Sequence, residues 1–153
     1  MARPELADDF RDFLAELTKA NARFLVVGAH ALAAHGVPRA TLDLDVWIDT
    51  SPENATRVWA ALAAFGAPLD TLQLSEDDLR RVDTVVQLGL PPFRIDLLTG
   101  VSGVAFADAW AERMEGQFGD LPVPFIGRAA LVRNKRATGR TKDLADLESL
   151  GEA

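Results

Sequence analysis

From Thr41 to Asp49 the chain reads TLDLDVWID, and no other stretch limits its fold so tightly. The alternation has period two. Leu42, Leu44, Val46 and Ile48 fall on one face of an extended strand, and Asp43, Asp45, Trp47 and Asp49 on the other. A strand patterned this way needs a sheet around it and an apolar layer under one face. It also sets Asp43 and Asp45 side by side, with Cα atoms roughly 6.5 to 7 Å apart. Buried carboxylates are costly unless something positive meets them. Either this face is wet and the two acids are solvated, or a cation sits between them.

The neighbouring segments supply the rest of a mixed domain. Pro4 opens a helix to about residue 20, with Leu6, Phe10, Phe13, Leu14 and Leu17 at helical spacing. RFLVVG (23–28) reads as a buried strand ending at glycine, and AHALAAHG (29–36) as a short helix closed by Gly36. Ser51 caps a helix that starts at Pro52 and stops at Gly66. SEDDLRR reads as a helical turn or loop. TVVQLGL and FRIDLLT, either side of PP, pair as strands of a hairpin. A helix is expected over 103–114, an edge strand or loop at LPVPF, and two helices over about 128–138 and 141–150, parted by Gly139. The expected fold class is α/β (α+β): a small mixed β-sheet flanked by helices.

At 153 residues one domain is expected, spanning 1–153 with its C-terminal helices at about 128–150. The opening MARPELADDF is acidic and has no apolar core, so it does not read as an export signal, and cytoplasm is the default expectation. No apolar run approaches the ~18 residues of a membrane span. The chain has no cysteine, which excludes disulfides, thiolate metal sites and a cysteine nucleophile. The net charge of -7 argues against coating nucleic acid non-specifically. Yet residues 128–142, RAALVRNKRATGRTK, hold six of the sixteen Lys and Arg and no acid. That segment is either a solvated helix face or a focused anion site.

Two side chains on one strand face suit a hard divalent ion such as Mg²⁺, which keeps waters and shares its shell with substrate phosphates. Asp96, inside the apolar strand FRIDLLT, is the best candidate for a third acid, completing a site for phosphoryl-type transfer. Asp49 shares the face but heads a turn, so it reads as structural. Gly28, between a strand and a helix N-terminus, offers backbone N–H groups to an anion. His30 and His35 read either as packing residues or as nucleotide contacts. Trp47 shares a face with the acids, where it would stack on a base. Lys142 and Asp146, four apart, are placed for a helical ion pair.

Taken together, VVGAHALAAHGVPRATLDLDVWID, the strand acid of FRIDLLT and the segment LVRNKRATGRTKDLADLESL resemble the nucleotidyltransferase (polymerase β-like) superfamily. More narrowly they resemble small bacterial AbiEii-type proteins of abortive-infection and toxin–antitoxin systems. The resemblance spans roughly residues 23–50, 93–98 and 128–150, and rests on the order and spacing of its motifs. It implies a nucleotidyltransferase-like fold that moves a nucleotide from an NTP to a hydroxyl on RNA, tRNA or protein, with Mg²⁺ or Mn²⁺ as cofactor. Asp43, Asp45 and Asp96 become the metal-binding and catalytic acids, Asp96 taking the acceptor's proton. Gly28 and Ala29 form the phosphate loop, and Arg39, Lys135 and Lys142 are phosphate or substrate contacts. A cognate toxin or antitoxin protein is an implied partner, and no membrane. Ala29 departs from the family's second Gly or Ser, keeping the N–H but losing a hydroxyl contact. The alternative is an inactive relative that binds a nucleotide or a protein as an antitoxin or regulatory subunit.

Overall fold

The structure, a computed structural model, describes residues 4–39, 43–89 and 93–152, with side chains from Asp9 onward. Thr41 and Leu42 of the patterned strand, and the Pro91–Pro92 pair, lie outside the described residues. Helix α1 (Pro4–Lys19) leads into β1 (Phe24–Val27), α2 (Gly28–Ala34), β2 (Asp43–Ile48) and α3 (Pro52–Phe65). A 3-10 turn (Glu76–Arg80) precedes β3 (Val85–Leu88) and β4 (Arg94–Leu98). Then come α4 (Phe106–Ala111), β5 (Met114–Phe118), β6 (Leu121–Phe125), α5 (Arg128–Thr138) and α6 (Thr141–Ser149).

The strands form one mixed sheet in the order β3-β4-β2-β1-β6-β5. β1 runs antiparallel to β2 and parallel to β6, β2 runs parallel to β4, and the β3–β4 and β5–β6 pairs are antiparallel. A parallel β2–β4 pair needs a crossover, which α3, the 3-10 turn and β3 provide. All four residues of β1, FLVV, are buried, as befits a strand flanked on both sides. Phe10, Phe13, Leu14 and Leu17 of α1 are buried in the same core, where α1 packs on α3. Ser51 caps α3 by accepting the Asn54 N–H at 3.3 Å, and Gly66 ends it at φ 90°.

Two expectations are corrected. The helix expected over 103–114 is confined to Phe106–Ala111, and Met114–Phe118 is strand β5. Gly119, at φ 63°, takes the first central position of a two-residue turn, which pairs β5 with β6 from Phe118↔Leu121 onward. LPVPF is therefore an internal strand, not an edge. Its prolines survive there because the residues bonded to β5 alternate with them, while pairing to β1 is confined to Val26↔Phe125. Pro122 and Pro124 occupy positions where neither partner requires an N–H.

Buried Asn54 locks the sheet end to α3: its Oδ1 accepts the Arg23 N–H at 2.6 Å, and its Nδ2 donates to the carbonyls of Arg23 (3.0 Å) and Asp49 (2.8 Å). Asn54→Ala strands three backbone groups, so urea unfolding should show a loss of about 2 to 3 kcal/mol.

Candidate functional site

The parallel register of β2 and β4 builds the site. Asp43 lies beside Arg94 and Asp45 beside Asp96, about 4.8 Å away across the ladder. Register partners share a face, so three acids and one arginine form a square. Arg94 answers two of the acids. Its Nε and Nη2 donate to Asp96 at 2.7 and 3.1 Å, its Nη2 lies 3.5 Å from Asp43 Oδ2, and its backbone N–H donates to Asp43 at 3.3 Å. Asp45 is left with the carboxylates. Burial first, then the charges of Asp96 and Asp43 and a hydrogen bond with Asp96, push it up to about 6, against the pull of Arg94.

Gly28 abuts that same carboxylate. A Cβ on residue 28 would stand 2.1 Å from Asp45 Oδ2, and the residue is at φ 70°, so both space and backbone demand glycine. Gly28, Ala29, Arg39, Asp43, Asp45, Lys135 and Lys142 all line one cavity of about 360 Å³, closed on its other sides by α5 and α6. Asp96 stands behind Asp45 and is not in the lining. Among the described residues no group of three or more His, Asp or Glu is gathered tightly enough to hold a metal ion. The three-acid ligand set expected from the sequence is thus not assembled as such, because period-two alternation also places Arg94 on the acid face, where it grips Asp96. The remaining donor set still suits Mg²⁺: two hard carboxylates face the cavity, and Asp45 forms no ion pair among the described residues.

The C-terminal helices contribute a second charged cluster. Lys135 Nζ is 3.3 Å from Asp143 and 2.9 Å from Asp146, and its side chain is only 10% exposed. Arg39 also bonds Asp146, and Arg140 Nε donates to Asp143 at 2.7 Å. The Arg140 guanidinium holds the Asp143 carboxyl well below the usual range; at Asp146 burial acts upward, and Lys135 and Arg39 more than reverse it. Lys135 and Arg39 therefore reach the cavity already engaged, unlike the open phosphate contacts expected of them. Lys142 makes no ion pair among the described residues; Asp146, its expected helical partner, is taken by α5 and Arg39.

The remaining candidates sit elsewhere. Trp47 is 1% exposed and meets Phe106 edge-on at 5.1 Å, so α4 covers it and the expected base stacking is excluded. His30 packs between Phe10 and Phe118; burial lowers its pKa against a hydrogen bond to the Asp43 backbone. His35 Nε2 donates to the Ile126 carbonyl at 2.8 Å, a packing role. Asp49 turns to Ser51, as its place at a turn implies. Arg94 and Arg140 were missed by sequence reasoning. Both carried a signal: Arg94 lies two residues before Asp96 on one strand face, and Arg140 three before Asp143, the spacing of a helix cap.

Two outcomes follow from these charges. Lys135→Met leaves two buried carboxylates short of a cation, and urea unfolding should show a loss of about 3 kcal/mol. Asp45→Asn removes a carboxylate whose pKa is higher in the folded chain than in the unfolded one, so the folded wild type gains stability as pH falls through about 6. The variant should therefore melt higher than wild type at pH 7.5, by on the order of 1 kcal/mol after water screens the half-open site. The advantage should shrink as pH approaches 4; an advantage that persists unchanged there contradicts the crowded-carboxylate account.

The chain matches no protein-family profile and no curated protein. It does superpose on a crystal structure from Thermotoga maritima, provisionally described as a nucleotidyltransferase, with a TM-score of 0.60 and 15% sequence identity. The match covers 99% of this chain and 94% of that one. The two share a fold, and the mixed six-stranded sheet described above is nucleotidyltransferase-like. No helix among the described residues is long and apolar enough to cross a membrane.

Proposed function

We propose that the protein is a metal-dependent nucleotidyltransferase that moves a nucleotide from an NTP to a hydroxyl of RNA, tRNA or protein. The observation that carries this reading is the side-by-side placement of Asp43, Asp45 and Asp96 on β2 and β4, with Gly28 packed on Asp45. A divalent ion, Mg²⁺ or Mn²⁺, held by Asp43 and Asp45 would supply charge neutralisation at the phosphates. Gly28 and Ala29 offer backbone N–H groups, and Lys142 a cation, to the same cavity. The acceptor oxygen bonds to the α-phosphorus, the bond to the bridging oxygen breaks, pyrophosphate leaves, and the hydroxyl proton passes to Asp96. A place as the toxin-like member of a toxin–antitoxin or phage-defence pair in the cytoplasm is carried by the sequence resemblance, as is a cognate protein partner.

A second reading, an inactive relative that binds nucleotide or a protein, is favoured by Ala29 and by the grip of Arg94 on Asp96. Calorimetric titration with each NTP, with and without Mg²⁺, tests both against D43A/D45A. Metal-dependent binding in wild type that is lost in the double variant supports the transferase, and labelled NTP then reports transfer. Absence of nucleotide binding under every metal condition overturns it and leaves protein partnership.

A further inference from the structure

The cavity beside the acids changes character along the strands. Leu98 lies two residues beyond Asp96, the register partner of Asp45, so the wall moves from the Asp45 carboxylate to an apolar surface over roughly 7 Å. Leu98, Val101 and Leu131 then offer a surface suited to a flat ring, and Asn134 of α5 stands among them. Asn134 Nδ2 donates to the Ser102 carbonyl at 2.9 Å. A carbonyl only accepts, which fixes the amide's orientation and leaves Oδ1 as an acceptor with no partner among the described residues.

The loop that holds this amide is itself held. A Cβ on Gly100 would lie 2.1 Å from the Val82 carbonyl oxygen, and one on Gly103 would lie 2.4 Å from the Ala137 Cβ. Val101 and Val104 close the loop in a β-bridge. Ser102 therefore cannot swing away without unpacking both contacts, and the acceptor on Asn134 is pre-organised. Such an acceptor pairs with an exocyclic amino group and repels an exocyclic carbonyl.

We propose that Asn134 reads the base of the bound nucleotide and selects adenine and cytosine over their oxo counterparts. This rests on the nucleotidyltransferase reading and deepens it by naming the nucleotide class. Two pairs of nucleotides test the feature, because ATP and ITP, like CTP and UTP, differ in amino against oxo at the exocyclic position, with the adjacent ring nitrogen changing from acceptor to N–H. Calorimetry with Mg²⁺ should show ATP tighter than ITP, and CTP tighter than UTP, each by about five- to tenfold, the worth of one hydrogen bond. Asn134→Ala should bring both ratios to about one, with Asn134→Ser as the second variant should the first not fold. Nucleotides that bind with equal or reversed ratios in wild type overturn the proposal while sparing the transferase reading. So do ratios that survive in a folded variant. Failure of every nucleotide to bind overturns both.

Discussion

Like-charge crowding on β2 and β4 is the constraint to which the rest of this structure answers. Asp43, Asp45 and Asp96 would repel one another if left alone on a sheet face. Arg94 neutralises the outer two, yet it reaches them by standing on the same face and occupying space beside them. Asp45 carries the remaining strain as a pKa of about 6. Gly28 follows from this arrangement, since any side chain there would collide with the Asp45 carboxylate. The acids, the arginine and the glycine form one electrostatic and steric unit, set by the registers of three strands.

A second unit holds the opposite wall. Lys135 lies between two buried carboxylates of α6, while Arg39 and Arg140 reach those carboxylates from the loop after α2 and from the α5–α6 junction. Buried charges such as these contribute little net stability but penalise any other arrangement. The loop that leads into the acidic strand is thereby tied to the C-terminal helices, and the cavity keeps its shape through charge pairing as well as through apolar packing.

How far the sequence foretold this depends on which contacts are local. The β2 alternation, the Ser51–Pro52 start of α3 and the Gly66 and Gly139 stops are set by neighbours in sequence, and all appear where expected. β5 escaped because MEGQF has no β-branched residue and a glycine at its centre, and it becomes a strand through β6 and the Gly119 turn. The prolines of β6 misled for the same reason: which edge needs an N–H is decided by partners far along the chain. In the site, the three acids were legible by spacing, but the roles of Lys135 and Arg39 were not. A lysine in a basic helix looks like an open cation until a second helix brings two aspartates to it.

The charge balance of the cleft has a consequence for what can enter it. The lining holds four cations, Arg39, Lys135, Arg140 and Lys142, and three carboxylates, Asp43, Asp45 and Asp146. Three of the four cations are already engaged by Asp143 and Asp146. A polyphosphate entering such a cleft would meet one lining cation outside any ion pair among the described residues, Lys142, and the carboxylates of Asp43 and Asp45, which repel it. Under the transferase reading proposed above, attraction would draw on a divalent cation placed where the two acids meet the cavity. On that reading nucleotide affinity and divalent-ion affinity are linked, each raising the other by the same factor. An anion held this way by a protein of net charge -7 would be held through a local exchange of charge, against the protein's overall field.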